Sequence, residues 1–121
     1  MSVYRSLAEI GPLPIWTGTL ARAVEGRDLS LAVVELDAGA IVGLHHHLNE
    51  QLGLILKGIL TFTIGGETRE LRPGDTYVIY SNVPHSAVAG PEGCVALDVF
   101  APVRADWHKL PAEPPRTPVW P

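Results

Sequence analysis

A single cysteine, Cys94, leaves this 121-residue chain without a partner for an internal disulfide. A reducing compartment, the cytoplasm, is therefore the expected location. Basic residues are scarce as well. Nine Lys and Arg against 13 Asp and Glu give a net charge of −4, without the positive footprint that a nucleic-acid binder needs. No apolar run approaches the ~20 residues of a membrane span. Met1-Ser2-Val3-Tyr4-Arg5 is not followed by the apolar stretch and small-residue cleavage site of a signal peptide. Long helical periodicity is also missing, because 12 Gly and 11 Pro interrupt the chain at short intervals. What is present, 46% hydrophobic and only 18% charged residues, suits a compact globular protein. The length allows one core and not two.

Apolar runs rich in β-branched and aromatic residues recur at strand-like lengths. Strands are expected over 15–24, 29–36, 51–57, 60–64, 67–71, 76–79, 85–89 and 95–100. Gly65-Gly66 is a strong two-residue hairpin signal, and Gly26-Arg27-Asp28 a second short connection. Pro73-Gly74-Asp75 and Gly90-Pro91-Glu92-Gly93 mark further turns. Many short strands without βαβ alternation predict an all-β antiparallel sandwich or barrel. Residues 1–110 are expected to form this single domain. The last dozen residues hold five prolines, so 111–121 should be a polyproline-like surface tail.

The chemistry concentrates in His45-His46-His47-Leu48-Asn49-Glu50-Gln51, with His85 following at a distance. In an extended segment, side chains alternate faces, so His45 and His47 would point together and His46 away. Neutral imidazole and a carbonyl oxygen suit a divalent transition metal (Zn, Ni, Fe, Mn or Co), which the ligand set alone does not distinguish. His85 would close the coordination sphere from another strand. Either Gln51, an even number of residues from His47, or Glu50, with its better ligand chemistry, supplies the fourth group. His46 and His108 read as ordinary surface residues.

These residues resemble the cupin superfamily, over roughly 31–109. Its first motif, G-x5-H-x-H-x3,4-E-x6-G, is met by Gly39, His45, His47 and Gly58, with Gln51 at the glutamate position. Its second, G-x5-P-x-G-x2-H-x3-N, is met by Gly74 and His85. There Tyr80 replaces the proline, Asn82 the glycine and Ala89 the asparagine. The resemblance implies a small jelly-roll β-barrel with a metal inside it, and frequent homodimers. Glu50-Gln51 and the segment from Asp98 to Asp106 resemble more closely the KdgF-like cupins of pectin and alginate breakdown. Those help open the ring of 4,5-unsaturated uronates to the linear keto form. By that resemblance the metal ligands are His45, His47, Gln51 and His85, and the catalytic and substrate-binding residues Asp98, Phe100 and Arg104.

The residue chemistry agrees with this cluster. Three histidines and a glutamine are all neutral, so the metal would keep its full charge and favour anionic ligands such as carboxylates or enolates. Asp98 lies among Val95, Ala96, Leu97, Val99 and Phe100, where a carboxylate is costly unless it is paired or meets a polar cavity. Partial burial would raise its pKa and suit it to proton transfer. Arg104 either clamps a substrate carboxylate or pairs with Asp106 at the surface. Tyr77 and Tyr80 read as barrel-wall aromatics, with Tyr80 the one expected to touch a ligand. The expected function is metal-dependent turnover of a small anionic, carbohydrate-derived molecule. An iron-dependent dioxygenase and a non-enzymatic ligand-binding module are the alternatives.

Overall fold

The computed structural model describes residues 2–121. Eight strands carry the fold: β1 (Leu13–Trp16), β2 (Thr19–Glu25), β3 (Ser30–Leu36), β4 (Ile41–His45), β5 (Glu50–Ile64), β6 (Glu67–Leu71), β7 (Thr76–Ile79) and β8 (His85–Ala101). Helix is confined to two short 3₁₀ segments, Leu7–Glu9 and Ala105–Lys109, among the described residues. No helix there is long and apolar enough to cross a membrane. Every strand pairing is antiparallel, in the order β1-β2-β3-β8-β5-β6, with β4 on β8 and β7 on β5. The all-β antiparallel expectation holds.

Two long strands organise the rest. Residues 94–101 of β8 pair with β3 and with the first half of β5, whereas 85–89 pair with β4 and the second half of β5. The sequence reading splits each of these strands in two, because Gly58 and the Gly90–Gly93 segment look like turns. They are bulges instead, with Gly58 and Gly93 at φ +76° and +78°. A bulge bends a strand and increases its twist without ending it, which lets β5 and β8 contribute to both walls. In the other direction, the expected strand over 15–24 is two strands with a turn at Gly18, and β4 was not anticipated. Gly65-Gly66 does form the two-residue hairpin, both glycines at positive φ.

Side-chain alternation then sets the interior. Ala32, Val34 and Leu36 of β3, Tyr77 and Ile79 of β7, and Ala96, Asp98 and Phe100 of β8 are buried on one side of their strands. Two of these positions, Ala32 and Ala96, are alanines, as is buried Ala87 on β8. Small side chains at the centre leave a cavity of about 420 Å³, reaching from Asp98 and the histidines to Trp16 and Lys109. Close packing would have filled such a space in an ordinary core.

Beyond β8 the chain returns across the outside of the first strands. The Glu113 amide donates to the Pro12 carbonyl (2.9 Å) and the Val119 amide to Glu35 (3.2 Å). Arg22, buried and paired with Glu35, also reaches the Arg116 carbonyl (3.3 Å). Gly11 is required at the crossing, since a Cβ there would stand 2.4 Å from the Glu113 oxygen.

Candidate metal centre

His45 ends β4, His47 lies in the loop that follows, Gln51 is the second residue of β5, and His85 opens β8. The expected single extended segment is therefore broken at residues 46–49. Side chains nonetheless keep alternating, with His45, His47, Asn49 and Gln51 more buried than His46, Leu48 and Glu50, and β4 and β8 bring His45 opposite His85. Candidate ligand atoms of His45, His47 and His85 all lie within 4.8 Å of one another. Ring centroids are 4.2 Å apart for His45–His85, 4.8 Å for His47–His85 and 5.8 Å for His45–His47.

Backbone carbonyls orient all three rings. Nδ1 of His45 faces the Gly43 oxygen (2.7 Å), Nδ1 of His47 the Asn49 oxygen (2.9 Å) and Nδ1 of His85 the Val83 oxygen (2.8 Å). A carbonyl can only accept, so each Nδ1 carries the proton and each Nε2 keeps a free lone pair. Burial favours the neutral form of two of them, lowering the pKa of His85 to about 4 and that of His47 below its ordinary value. Such carbonyl-fixed tautomers are how metal-binding histidines are commonly held.

Gln51 supplies the test of fit. Its carboxamide nitrogen donates to Asp98 Oδ1 (3.1 Å), which turns Oε1 toward His47 Nε2 at 3.2 Å. With Nδ1 of His47 protonated, those two atoms are both acceptors and share no proton. A cation between them removes the conflict, and an imidazole-plus-amide donor set suits a divalent transition metal. The residues present fit a metal. Glu50, its rival in sequence, is exposed and outside the cavity lining, because alternation along β5 turns it away. His46 reaches only the cavity mouth and is not part of the triad.

Asp98 lies behind Gln51. Tyr77 donates its hydroxyl to the same Oδ1 at 2.5 Å. Among the described residues no protein donor reaches Oδ2, the oxygen left for the cavity. Burial raises the Asp98 pKa to about 6 against the opposing pull of these hydrogen bonds and of Arg104. Burial, and then the neighbouring Asp98, push the Tyr77 phenol well above its ordinary value, so it stays a donor.

Gly53 makes the Tyr77–Asp98 contact possible. It pairs with Tyr77 on one side and Asp98 on the other, and a Cβ there would fall 2.0 Å from the tyrosine ring. The ring thus crosses bare backbone to reach the carboxylate. Tyr80, the tyrosine expected at the ligand, is 65% exposed and outside the cavity lining. It lies just beyond β7, where inward Tyr77 and Ile79 put it in outward phase. That same alternation was the available sequence signal that Tyr77 points inward.

Arg104 occupies the cavity and also pairs with Asp106 through Nε (3.0 Å) and Nη2 (2.9 Å). The two sequence readings of this residue are therefore compatible. Its guanidinium sits 4.7 Å from the Phe100 ring centroid and 4.4 Å from that of Trp107. Cation–π contacts and a bidentate carboxylate fix it in place. Buried Asn49, given no role in the sequence analysis, donates to the carbonyls of Pro102 (2.6 Å) and Val103 (3.2 Å). It ties the His47 loop to the segment that carries Arg104. Asn82, where the second motif has glycine, sits at φ +62°, a region that Asn tolerates better than most residues. Its amide donates to the His47 carbonyl at 2.8 Å.

Comparison with known proteins places this geometry. A family model described as Cupin domain matches residues 32–100. The pectin degradation protein KdgF of Dickeya dadantii is 37% identical over 81 residues, 66% of this chain and 74% of that protein. The structure of KdgF from a Halomonas species superposes with a TM-score of 0.79 at 29% identity, covering 88% of this chain and 98% of that one. An RmlC-like cupin from Shewanella frigidimarina gives 0.81 at 23% identity, over 88% and 96%, a likeness of fold alone.

Proposed function

The chain belongs to the cupin family and is KdgF-like within it. From that premise we propose that it is a metal-dependent enzyme that opens the ring of a 4,5-unsaturated uronate to the linear keto form. The observation that carries this reading is the Gln51 carboxamide, facing the histidine triad with its oxygen and Asp98 with its nitrogen. It joins a metal-binding group to a carboxylate suited to proton transfer, in one cavity with a fixed guanidinium. His45, His47, His85 and Gln51 would hold the metal. When bound, a divalent ion supplies Lewis-acid polarisation of a substrate oxygen.

The remaining work falls to the protein. Arg104, held against Phe100 and Trp107, binds the substrate carboxylate and orients the ring. Asp98 takes the proton of the anomeric hydroxyl on Oδ2. The bond between C1 and the ring oxygen breaks, its electrons remain on that oxygen as the C5 enolate, and C1 becomes an aldehyde. Return of the proton to C4 converts the enolate to the 5-ketone, so the reaction is an isomerisation with nothing gained or lost. Tyr77 and Gln51 both donate to Oδ1 and so keep Oδ2 as the oxygen that exchanges the proton.

Turnover tests the reading. Metal-loaded protein should accelerate the loss of 4,5-unsaturated galacturonate or mannuronate well beyond its spontaneous decay. Decay at the spontaneous rate would defeat the proposal, and oxygen consumption instead would favour the dioxygenase alternative.

A homodimer is part of the same proposal. Val24, Leu31, Val99, Leu52 and Val78 face each other in register across β2, β3, β8, β5 and β7. Four of them are exposed and Val99 is half-buried. The outer face of an antiparallel sheet is ordinarily polar when solvent covers it, and an apolar one marks an interaction site. Sedimentation equilibrium should give twice the chain mass, and Leu52→Lys should return it to the monomer value.

A further inference from the structure

Trp16 is not used by the reaction above, yet it faces the same cavity. In regular pairing of β1 with β2, Ile15 would lie opposite Thr19 and Trp16 would turn outward. The register instead slips between Pro14 and Trp16, so that Trp16 pairs with Thr19. Thr19 is buried and lines the cavity, and the slip brings the indole to the cavity's edge, where Trp16 lines it as well. Bulges that re-aim a side chain in this way recur beside binding and catalytic sites.

The ring rests against β4. Its Cζ3 and Cη2 atoms lie 3.4 and 3.7 Å from where a Cβ would stand on Gly43, so the ring lies over backbone. Its centroid is 5.1 Å from that of His45, at a 52° tilt. Trp16 remains 37% exposed, although it lines the cavity. A tryptophan serving only to fill the core would be covered on both sides. Elsewhere in the same cavity lie the fixed guanidinium of Arg104 and Lys109, a cation without an ion-pair partner among the described residues.

We infer that Trp16 is a stacking platform for the carbon face of a six-membered sugar-acid ring, and that it makes the site prefer the cyclic form over an open chain. The inference rests on the proposed reading for the kind of substrate, not for the chemical step. A pyranose presents a flat array of C–H bonds that an indole can cover, while its carboxylate reaches the cations. An open chain offers the same carboxylate and hydroxyls without that face. Trp16 is thereby a specificity-determining residue. It discriminates the ring to be opened from the linear product to be released.

The test uses two unreactive probes, galacturonate as a ring and gluconate as an open chain. Titration calorimetry is run on metal-loaded wild type, Trp16→Phe and Trp16→Ala, with metal content measured on each preparation. Wild type should favour galacturonate. Trp16→Ala should lose about three- to tenfold in affinity for it and little for gluconate, and Trp16→Phe should retain most of the preference. Equal affinities of wild type and Trp16→Ala for galacturonate would overturn the inference. So would a wild type that binds neither probe or does not distinguish them. Failure of wild type to turn over an unsaturated uronate would defeat the reaction assignment alone, because the ring preference is read in binding.

Discussion

Asp98→Asn is expected to lower turnover by about 10²–10⁴-fold, the usual worth of a positioned proton-transfer group, while metal content stays at the wild-type level. The substitution keeps shape. Asn retains an oxygen to accept from Tyr77 and Gln51, as Oδ1 of Asp98 does, and exchanges only the cavity-facing oxygen for an NH₂ that cannot take up a proton. The wild-type pH profile carries the same signature. As a base, Asp98 must be ionised, so turnover should rise with pH along an acid limb no higher than about 6, the value of the metal-free protein. A bound cation favours the carboxylate and can only move that limb lower. The variant should lack the limb.

Stability separates this loss from misfolding. In the metal-free protein the native Asp98 pKa of about 6 exceeds its ordinary value of 3.8, so the native state binds more protons than the unfolded chain between them. Its contribution therefore weakens stability progressively as pH rises from about 4 through 6. Metal-free Asp98→Asn should unfold at a higher temperature than metal-free wild type near pH 8, with no gain below pH 4. Thermal melts at the two pH values check the sign. An inactive variant that is also less stable near pH 8 would contradict the account.

His85→Ala is expected to have the opposite pattern, with both metal and activity lost. The His85 ring is close to both others, with centroids 4.2 Å from His45 and 4.8 Å from His47. Removing it leaves two imidazoles and one amide. Loss of an outer hydrogen-bond partner alone costs metal sites about 10–100-fold in affinity, so loss of a ligand should cost at least about 100-fold. Turnover should fall to the spontaneous rate at metal concentrations that saturate wild type. Competition against a chromophoric chelator reads the affinity, and an unchanged constant would remove His85 from the site. Asp98→Asn and His85→Ala thus divide the proposed machinery into proton transfer and metal binding.

Much of this was legible in the chain. Ligand chemistry and spacing picked out His45, His47 and His85 and left Gln51 and Glu50 open as the fourth group, the family resemblance favouring Gln51; the three histidines and Gln51 are adjacent in space. The inward–outward alternation expected of an extended segment persists from His45 to Gln51, although residues 46–49 lie outside any strand. Asp98 stood out because a carboxylate in an apolar strand needs a reason, and its partners are Tyr77 and Gln51. Local patterning could not show that Gly58 and Gly90–Gly93 are bulges, since a glycine at positive φ serves either a turn or a bulge. Which one it serves depends on strands distant in sequence. The same limit hid Trp16, whose place at the cavity's edge follows from a register slip against β2. Tyr77 was hidden differently. Its role depends on Gly53 lying between it and Asp98, a cross-strand relation that adjacent residues do not reveal.

Elemental analysis of the protein purified without a histidine tag or chelating resin tests the centre of this account most directly. It should find close to one equivalent of a divalent transition metal per chain, and a chelator should remove the metal and the catalysed turnover together. A metal-free preparation that neither binds added metal nor changes its melting temperature with chelator would contradict it.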